Sequence, residues 1–130
     1  MCQRVTGSAF STELAFPRAA VVFKGEGHDT YSYKSTEHGR FLRFNICKSC
    51  GGRLGLAIDR FPAVHLIYAG TFDDPLVIEP AAHIFTESAV SWMVWPQHAT
   101  CFARHMFRLD GTVEQPISRS MLSRIDQHEF

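Results

Sequence analysis

A chain of 130 residues that is 45% hydrophobic is sized for one compact domain able to bury a core of its own. Thirteen basic residues balance thirteen acidic ones, which excludes the electrostatic footprint of a nucleic-acid or anionic-membrane binder and points to a small-molecule partner. No stretch approaches the roughly 20 apolar residues of a membrane span and no leader pattern opens the chain, so a cytoplasmic, reducing setting is expected. In that setting its four cysteines are thiols or metal ligands and not a disulfide framework.

Residues 19–24 (Ala-Ala-Val-Val-Phe-Lys) and 30–34 (Thr-Tyr-Ser-Tyr-Lys) are rich in β-branched and aromatic types, with Gly25, Gly27 and Asp29 between them as turn chemistry. They predict consecutive strands. Residues 40–46 alternate, placing Phe41, Arg43 and Asn45 on one face and Leu42, Phe44 and Ile46 on the other, the period of a partly buried strand. Strands are also predicted over 54–58 and 64–69, with Arg60-Phe61-Pro62 turning the chain between them, and a short one over 83–86. Turn signals about every ten residues, with no helical segments alternating between strands, predict a mainly β sandwich or barrel. Helix is expected only as one turn at 87–92 and as a short C-terminal helix over 116–127, opened by Pro116. The chain turns polar after Arg108, so residues 1–108 are taken as the domain and 109–130 as a partly helical tail.

The strongest chemical signal is Cys47-Lys48-Ser49-Cys50-Gly51-Gly52 at the end of the predicted third strand. A structural zinc wants four ligands in a tetrahedron, and a Cys-x-x-Cys turn supplies two. A thioredoxin-like redox role is disfavoured, because the motif follows a strand and does not open a helix whose dipole would lower a thiol pKa. Cys101 lies between His98 and His105 at spacings that would suit one helix face, yet its apolar neighbours favour a small buried hydrophobe. His83 is a candidate proton relay or thiol-orienting group, weighed against a loop-anchoring role. Asp73-Asp74-Pro75 is read first as a turn, and Phe41, Phe44, Trp92 and Trp95 as core before ligand wall. His28, His38, His65 and His128 have no ligand spacing.

Four spaced motifs then occur in order. They are Cys2-Gln3-Arg4-Val5-Thr6-Gly7-Ser8, Ile46-Cys47-Lys48-Ser49-Cys50-Gly51, Gly70-Thr71-Phe72-Asp73-Asp74-Pro75, and Pro80-Ala81-Ala82-His83-Ile84 with Trp92 after it. Together, from Cys2 to about Trp95, they resemble the glutathione-dependent formaldehyde-activating enzyme family, which includes centromere protein V. The resemblance implies a β-tent of small antiparallel sheets around a zinc knuckle. It also implies a carbon-sulfur lyase chemistry in which a thiol such as glutathione adds to formaldehyde to give S-hydroxymethylglutathione.

In the family one zinc is structural, held by an upstream Cys-x-Cys and the knuckle matching Cys47 and Cys50. The second is held by a Cys-x-Cys-x-x-Cys segment of which Cys2 is the last member. The resemblance thus makes Cys47, Cys50 and Cys2 metal ligands, with Cys2 and His83 the catalytic candidates. Both upstream Cys-x-Cys pairs are missing from this sequence, so each implied zinc lacks two ligands, and an N-terminal truncation that also removes a first strand or two is expected. An open sheet edge would follow, inviting a homodimer. Two readings stand: a zinc enzyme acting on a small thiol and an aldehyde, or a non-catalytic zinc-ribbon-like binding module that has lost its complete metal sites.

Overall fold

The computed structural model describes residues 2–36 and 38–118. Its described part is mainly β and divides into two compact units, one of residues 11–78 and one built from residues 2–10 and 79–118.

The first unit is a five-stranded antiparallel sheet. Its strands are β1 (Glu13–Pro17), β2 (His28–Lys34), β3 (Phe41–Cys47), β4 (Arg53–Ile58) and β5 (Val64–Tyr68), in the spatial order β1-β5-β4-β3-β2. Consecutive hairpins carry the chain from β2 to β5, and β1 then pairs along the free side of β5, Glu13 opposite Tyr68 and Pro17 opposite Val64. Alternation in β3 predicts one wet face, but Phe44 and Asn45, which point to opposite faces, are both buried. The core on one side is Phe44, Leu56 and Tyr68. On the other side β4 contributes Gly55 and Ala57, small residues that leave room for neighbouring side chains. The pairing of β3 with β4 slips between Asn45 and Ile46, so that Asn45 faces Gly55 while Ile46 faces Arg53. The extra residue, Leu54, lies on β4 just after the turn of residues 47–52 and bends that strand where it leaves the turn.

The strand predicted over 19–24 does not form. Pro17 ends β1 and has no N–H to extend a ladder. The chain turns at once through a 3-10 turn at Arg18–Ala20, held by Arg18 N–H on Ala63 O at 2.8 Å and Val21 N–H on Arg18 O at 3.2 Å. Val22 is left exposed, and Phe23 enters the sheet face as a side chain, not as part of a strand. The strand that forms there instead is β1, at one edge of the sheet, whose composition gave no comparable signal. The β2, β3, β4 and β5 predictions hold to within two residues, as does the turn at 60–62.

The second unit has little regular structure. A five-residue helix, α1 (Cys2–Thr6), which the sequence reading did not foresee, closes on Gly7 at φ +65°, whose N–H reaches Gln3 O at 2.9 Å. Strand β6 (Ala82–His83) pairs with β7 (Thr100–Cys101), and the pair runs parallel, not antiparallel as implied. The expected strand 83–86 is therefore only its first residue. The turn expected at 87–92 is a 3-10 turn at Thr86–Ser88. Thr86 is fully buried and its hydroxyl donates to Phe102 O at 3.0 Å. Residues after Arg108 fold back through Gly111 (φ +86°), bridging Phe107 to Val113, and Ile117 N–H reaches Cys101 O at 2.9 Å. The rest of the predicted C-terminal helix, from 119 to 127, lies outside the described residues.

Candidate metal centre

The knuckle is built by the β3–β4 connection. Cys47 ends β3, its N–H donating to Gly52 O at 2.9 Å while its carbonyl accepts from Gly51 N–H at 2.9 Å. Gly51 sits at φ +72°, a conformation that favours glycine. A Cβ on Gly52 would lie 3.2 Å from the Cys50 Sγ, so the second glycine keeps the space beside that thiol open. Both cysteines are free thiols, Cys47 half-buried and Cys50 exposed, and residues 48–52 all face solvent. The Cys50 and Ser49 amides and the Cys50 thiol, in that order, point hydrogen bonds at Cys47 and draw its thiol below the ordinary range. Amide N–H groups aimed at sulfur suit a thiolate, the form that binds metal.

These donors fit a thiophilic divalent ion such as zinc, but they are two of the four that a closed tetrahedral site needs. As the side chains stand, no three His, Cys, Asp or Glu groups converge at metal distance among the described residues. Lys48, between the two cysteines, lies 3.5 Å from the Asp29 carboxylate.

Cys2 and His83 belong to the other compact unit. Cys2 is an exposed thiol at the start of α1, its carbonyl accepting from the Thr6 hydroxyl at 2.9 Å. His83 is half-buried on β6, with the Trp95 indole edge-on to its ring at 5.3 Å. Burial first, then the charge of His98, pushes its pKa down, so at neutral pH it is an uncharged imidazole. His98 itself reaches Glu79 at 2.7 Å. The helix face considered for His98, Cys101 and His105 is absent: the segment is a turn leading into β7, and Cys101 is buried at 1% exposure. Trp92, expected in the core, is 69% exposed, because the chain after Thr86–Ser88 runs along the surface. Asp74 does serve as turn chemistry, accepting Leu76 N–H at 3.3 Å at the head of a 3-10 turn.

One constellation escaped the sequence reading. On the sheet face shared with Cys47, Asn45 accepts from or donates to its neighbours in a row: its amide reaches Thr30 Oγ1 at 3.4 Å and its carbonyl oxygen lies 3.1 Å from His65 Nε2. The Phe23 ring sits 5.2 Å from the His28 ring and 5.4 Å from that of His65. His65 is 8% exposed, and burial, followed by the charge of Arg18, pushes its pKa down. A neutral His65 with its proton on Nε2 donates to Asn45 Oδ1. Glu13 is a second missed group, its carboxyl pushed up by burial against hydrogen bonds from Ser11 and Tyr68. Strand register brings these residues together, and single-residue spacing carries no sign of it.

A family model described as glutathione-dependent formaldehyde-activating enzyme matches residues 1–88. No curated protein and no solved structure gives a significant match. The matched span takes in the Cys2 segment, the Cys47–Cys50 knuckle, the Asp73-Asp74-Pro75 turn and His83, and covers well over half of the sequence. The chain belongs to the glutathione-dependent formaldehyde-activating enzyme family.

Proposed function

We propose that this chain handles small thiols in the carbon-sulfur chemistry of its family, joining a thiol such as glutathione to formaldehyde. In that addition the sulfur forms a bond to the aldehyde carbon, the carbonyl π pair moves to oxygen, and the thiol proton ends on that oxygen as the product hydroxyl. Cys47 and Cys50 would hold zinc at the turn between β3 and β4, pinning a β-tent over residues 1–108, with 109–130 as its tail. Zinc, when bound at a site with an open position, supplies Lewis acidity toward a thiolate or a carbonyl oxygen. Cys2 would serve as ligand of the family's second, catalytic zinc. His83, held neutral by burial, would accept or pass on the thiol proton.

The observation that carries this reading is the knuckle: two thiols on a glycine-shaped turn whose amides favour thiolate, in a family built around such chemistry. A cytoplasmic setting, where glutathione is abundant and thiols stay reduced, goes with it. So does pairing of two copies through the free edge of β1 or β2. The test is to incubate the zinc-loaded full chain with glutathione and 13C-formaldehyde and follow S-hydroxymethylglutathione by NMR. Formation faster than the uncatalysed rate, lost in Cys2→Ser, is expected; a rate equal to that of buffer defeats the enzyme reading.

A second reading is favoured by the donor set. The knuckle gathers two thiols and no third His, Cys, Asp or Glu at metal distance among the described residues, which suits a non-catalytic module retaining the fold. Metal content separates the two: close to two zinc ions per chain supports the enzyme, and a zinc-free protein without activity supports the module.

A further inference from the structure

We propose that Cys47 and Cys50 form a reversible disulfide by exchange with a small-molecule disulfide such as oxidised glutathione, which makes the knuckle an oxidation site. The inference goes beyond the thiol addition set out above and needs neither that reaction nor a metal. Its first ground is the turn. Gly51 N–H donates to Cys47 O at 2.9 Å, closing residues 47–51 like one turn of helix. Helical rise and radius put Cα atoms three residues apart at about 5 Å, inside the roughly 4.4–6.8 Å that a disulfide spans. The thiols already meet, since the Cys50 S–H is directed at the Cys47 sulfur. Cys47 N–H on Gly52 O and Lys48 N–H on Gly27 O, both at 2.9 Å, fix the two ends of the turn, so closing the S–S bond orders little that is not ordered already.

Access divides the roles between the two thiols. Cys50 is exposed and Cys47 half-buried. Gly52 keeps the approach to Cys50 open, because a Cβ there would lie 3.2 Å from its sulfur. Cys50, as thiolate, attacks one sulfur of the small disulfide; that S–S bond breaks, and one small thiol leaves carrying the proton that Cys50 gave up. The Cys47 sulfur then attacks that of Cys50, gives its own proton to the departing second thiol, and closes the protein disulfide. Two protein thiols are oxidised while one small disulfide is reduced to two thiols, so atoms and electrons balance. No helix opens at the knuckle to activate a thiol by its dipole. Proximity and exposure stand in its place. The donor set points the same way, since among the described residues no three His, Cys, Asp or Glu groups are placed to hold a metal. Two sulfurs leave a tetrahedral metal site unfinished, yet two are all that a disulfide needs. Cys101, buried at 1% exposure, is out of reach of a bulky disulfide.

The full chain, as purified and with its zinc content measured, is equilibrated in glutathione buffers of rising oxidised-to-reduced ratio, quenched with acid, alkylated and mapped by mass spectrometry. The expected product is a chain lighter by two hydrogen atoms whose Cys47–Cys50 peptide resists alkylation, and reduced glutathione should restore both thiols. Cys47→Ser should stop at a stable glutathione adduct on Cys50. Cys50→Ser, with only the half-buried thiol left at the knuckle, should react there at least about tenfold more slowly. Cys2→Ser should still close the pair. If a serine variant does not fold, the peptide map of the unaltered chain decides. A Cys47–Cys50 peptide that is alkylated at every ratio overturns the proposal: with zinc retained on the chain it shows a metal hold instead, and without zinc it shows two inert thiols. A glutathione adduct that persists on Cys50 of the unaltered chain, a disulfide between two chains, or a bond that reduced glutathione does not reopen overturns it as well. None of these outcomes decides the thiol-addition reading, which stands or falls on formation of S-hydroxymethylglutathione.

Discussion

The unit of residues 11–78 and the unit of residues 2–10 and 79–118 hold themselves together in different ways. In the first, five strands satisfy one another's backbone groups in a continuous ladder, and the buried side chains line up across it. In the second, a two-residue parallel pair is the whole of the sheet, and buried groups are satisfied one at a time. There Thr86 bonds to Phe102 O, Phe102 N–H to His83 O, and Phe85 N–H to Arg104 O. Phe85 even adopts φ +58°, outside the range in which such a side chain is comfortable, with its ring edge-on to His105 at 4.6 Å. A ladder holds its strands at fixed spacing around a lost side chain, whereas turns tied by single bonds can settle into the space it leaves.

Truncation of a core ring in each unit gives the largest test of this contrast. Phe44 and Phe102 are equally buried at 3% exposure. Phe44→Ala opens a cavity between strands that cannot close on it and should cost about 3–5 kcal/mol in urea unfolding. Phe102→Ala sits among short turns that can relax into the space, and should cost less. Equal losses would remove the distinction between the two units.

A smaller effect probes the crowded face of the sheet. A Cβ at Gly55 would meet His65 Nε2 at 2.9 Å, Phe23 Cζ at 3.0 Å and Leu66 O at 3.1 Å, the last a backbone atom that cannot step aside. Gly55→Ala should therefore destabilise by about 1–3 kcal/mol, as overpacking does. Gly70→Ala, with nothing within 4 Å of the new atom, should stay within about 0.5 kcal/mol. A Gly55→Ala protein as stable as the parent would mean that the row of His65, Asn45 and Thr30 is looser than its distances imply.

How far the sequence could be read follows the same division. Strands β2 to β5 announce themselves through alternation and turn residues, because each is flanked by partners on both sides or by a tight hairpin. The segment 19–24 has better strand composition than β1, yet Pro17 and the bond from Arg18 to Ala63 turn the chain there, and pairing with β5 decides in favour of Glu13–Pro17. The irregular unit offered little periodicity, so α1, the parallel sense of β6 with β7 and the exposure of Trp92 were not foreseen. At the candidate site, Cys47 and Cys50 are legible because the chemistry sits within four residues of sequence. His28 faces Cys47 across a strand pair, nineteen positions away, and only register brings the two together.

The smallest expected effect compares the two neutral histidines. His65 in the sheet and His83 on β6 both have pKa values lowered chiefly by burial, so the folded chain binds fewer protons there than the unfolded chain does. Stability from these groups is full above the unfolded value of about 6.5 and is lost as pH falls through it toward the lower folded values. His65, at 8% exposure and bonded to Asn45, should contribute more of that slope than half-buried His83. Urea midpoints measured between pH 8 and pH 5 should accordingly decline for the parent, decline less for His83→Gln, and least for His65→Gln. Glu13 acts in the opposite sense: its raised carboxyl favours the acidic side and loses that contribution as pH rises through its folded value, but it does so equally in all three proteins. Taking differences between variants therefore removes Glu13 and leaves the imidazoles. A slope that survives His65→Gln unchanged would place the proton uptake outside the ladder, in the unit where each buried group stands on its own bond.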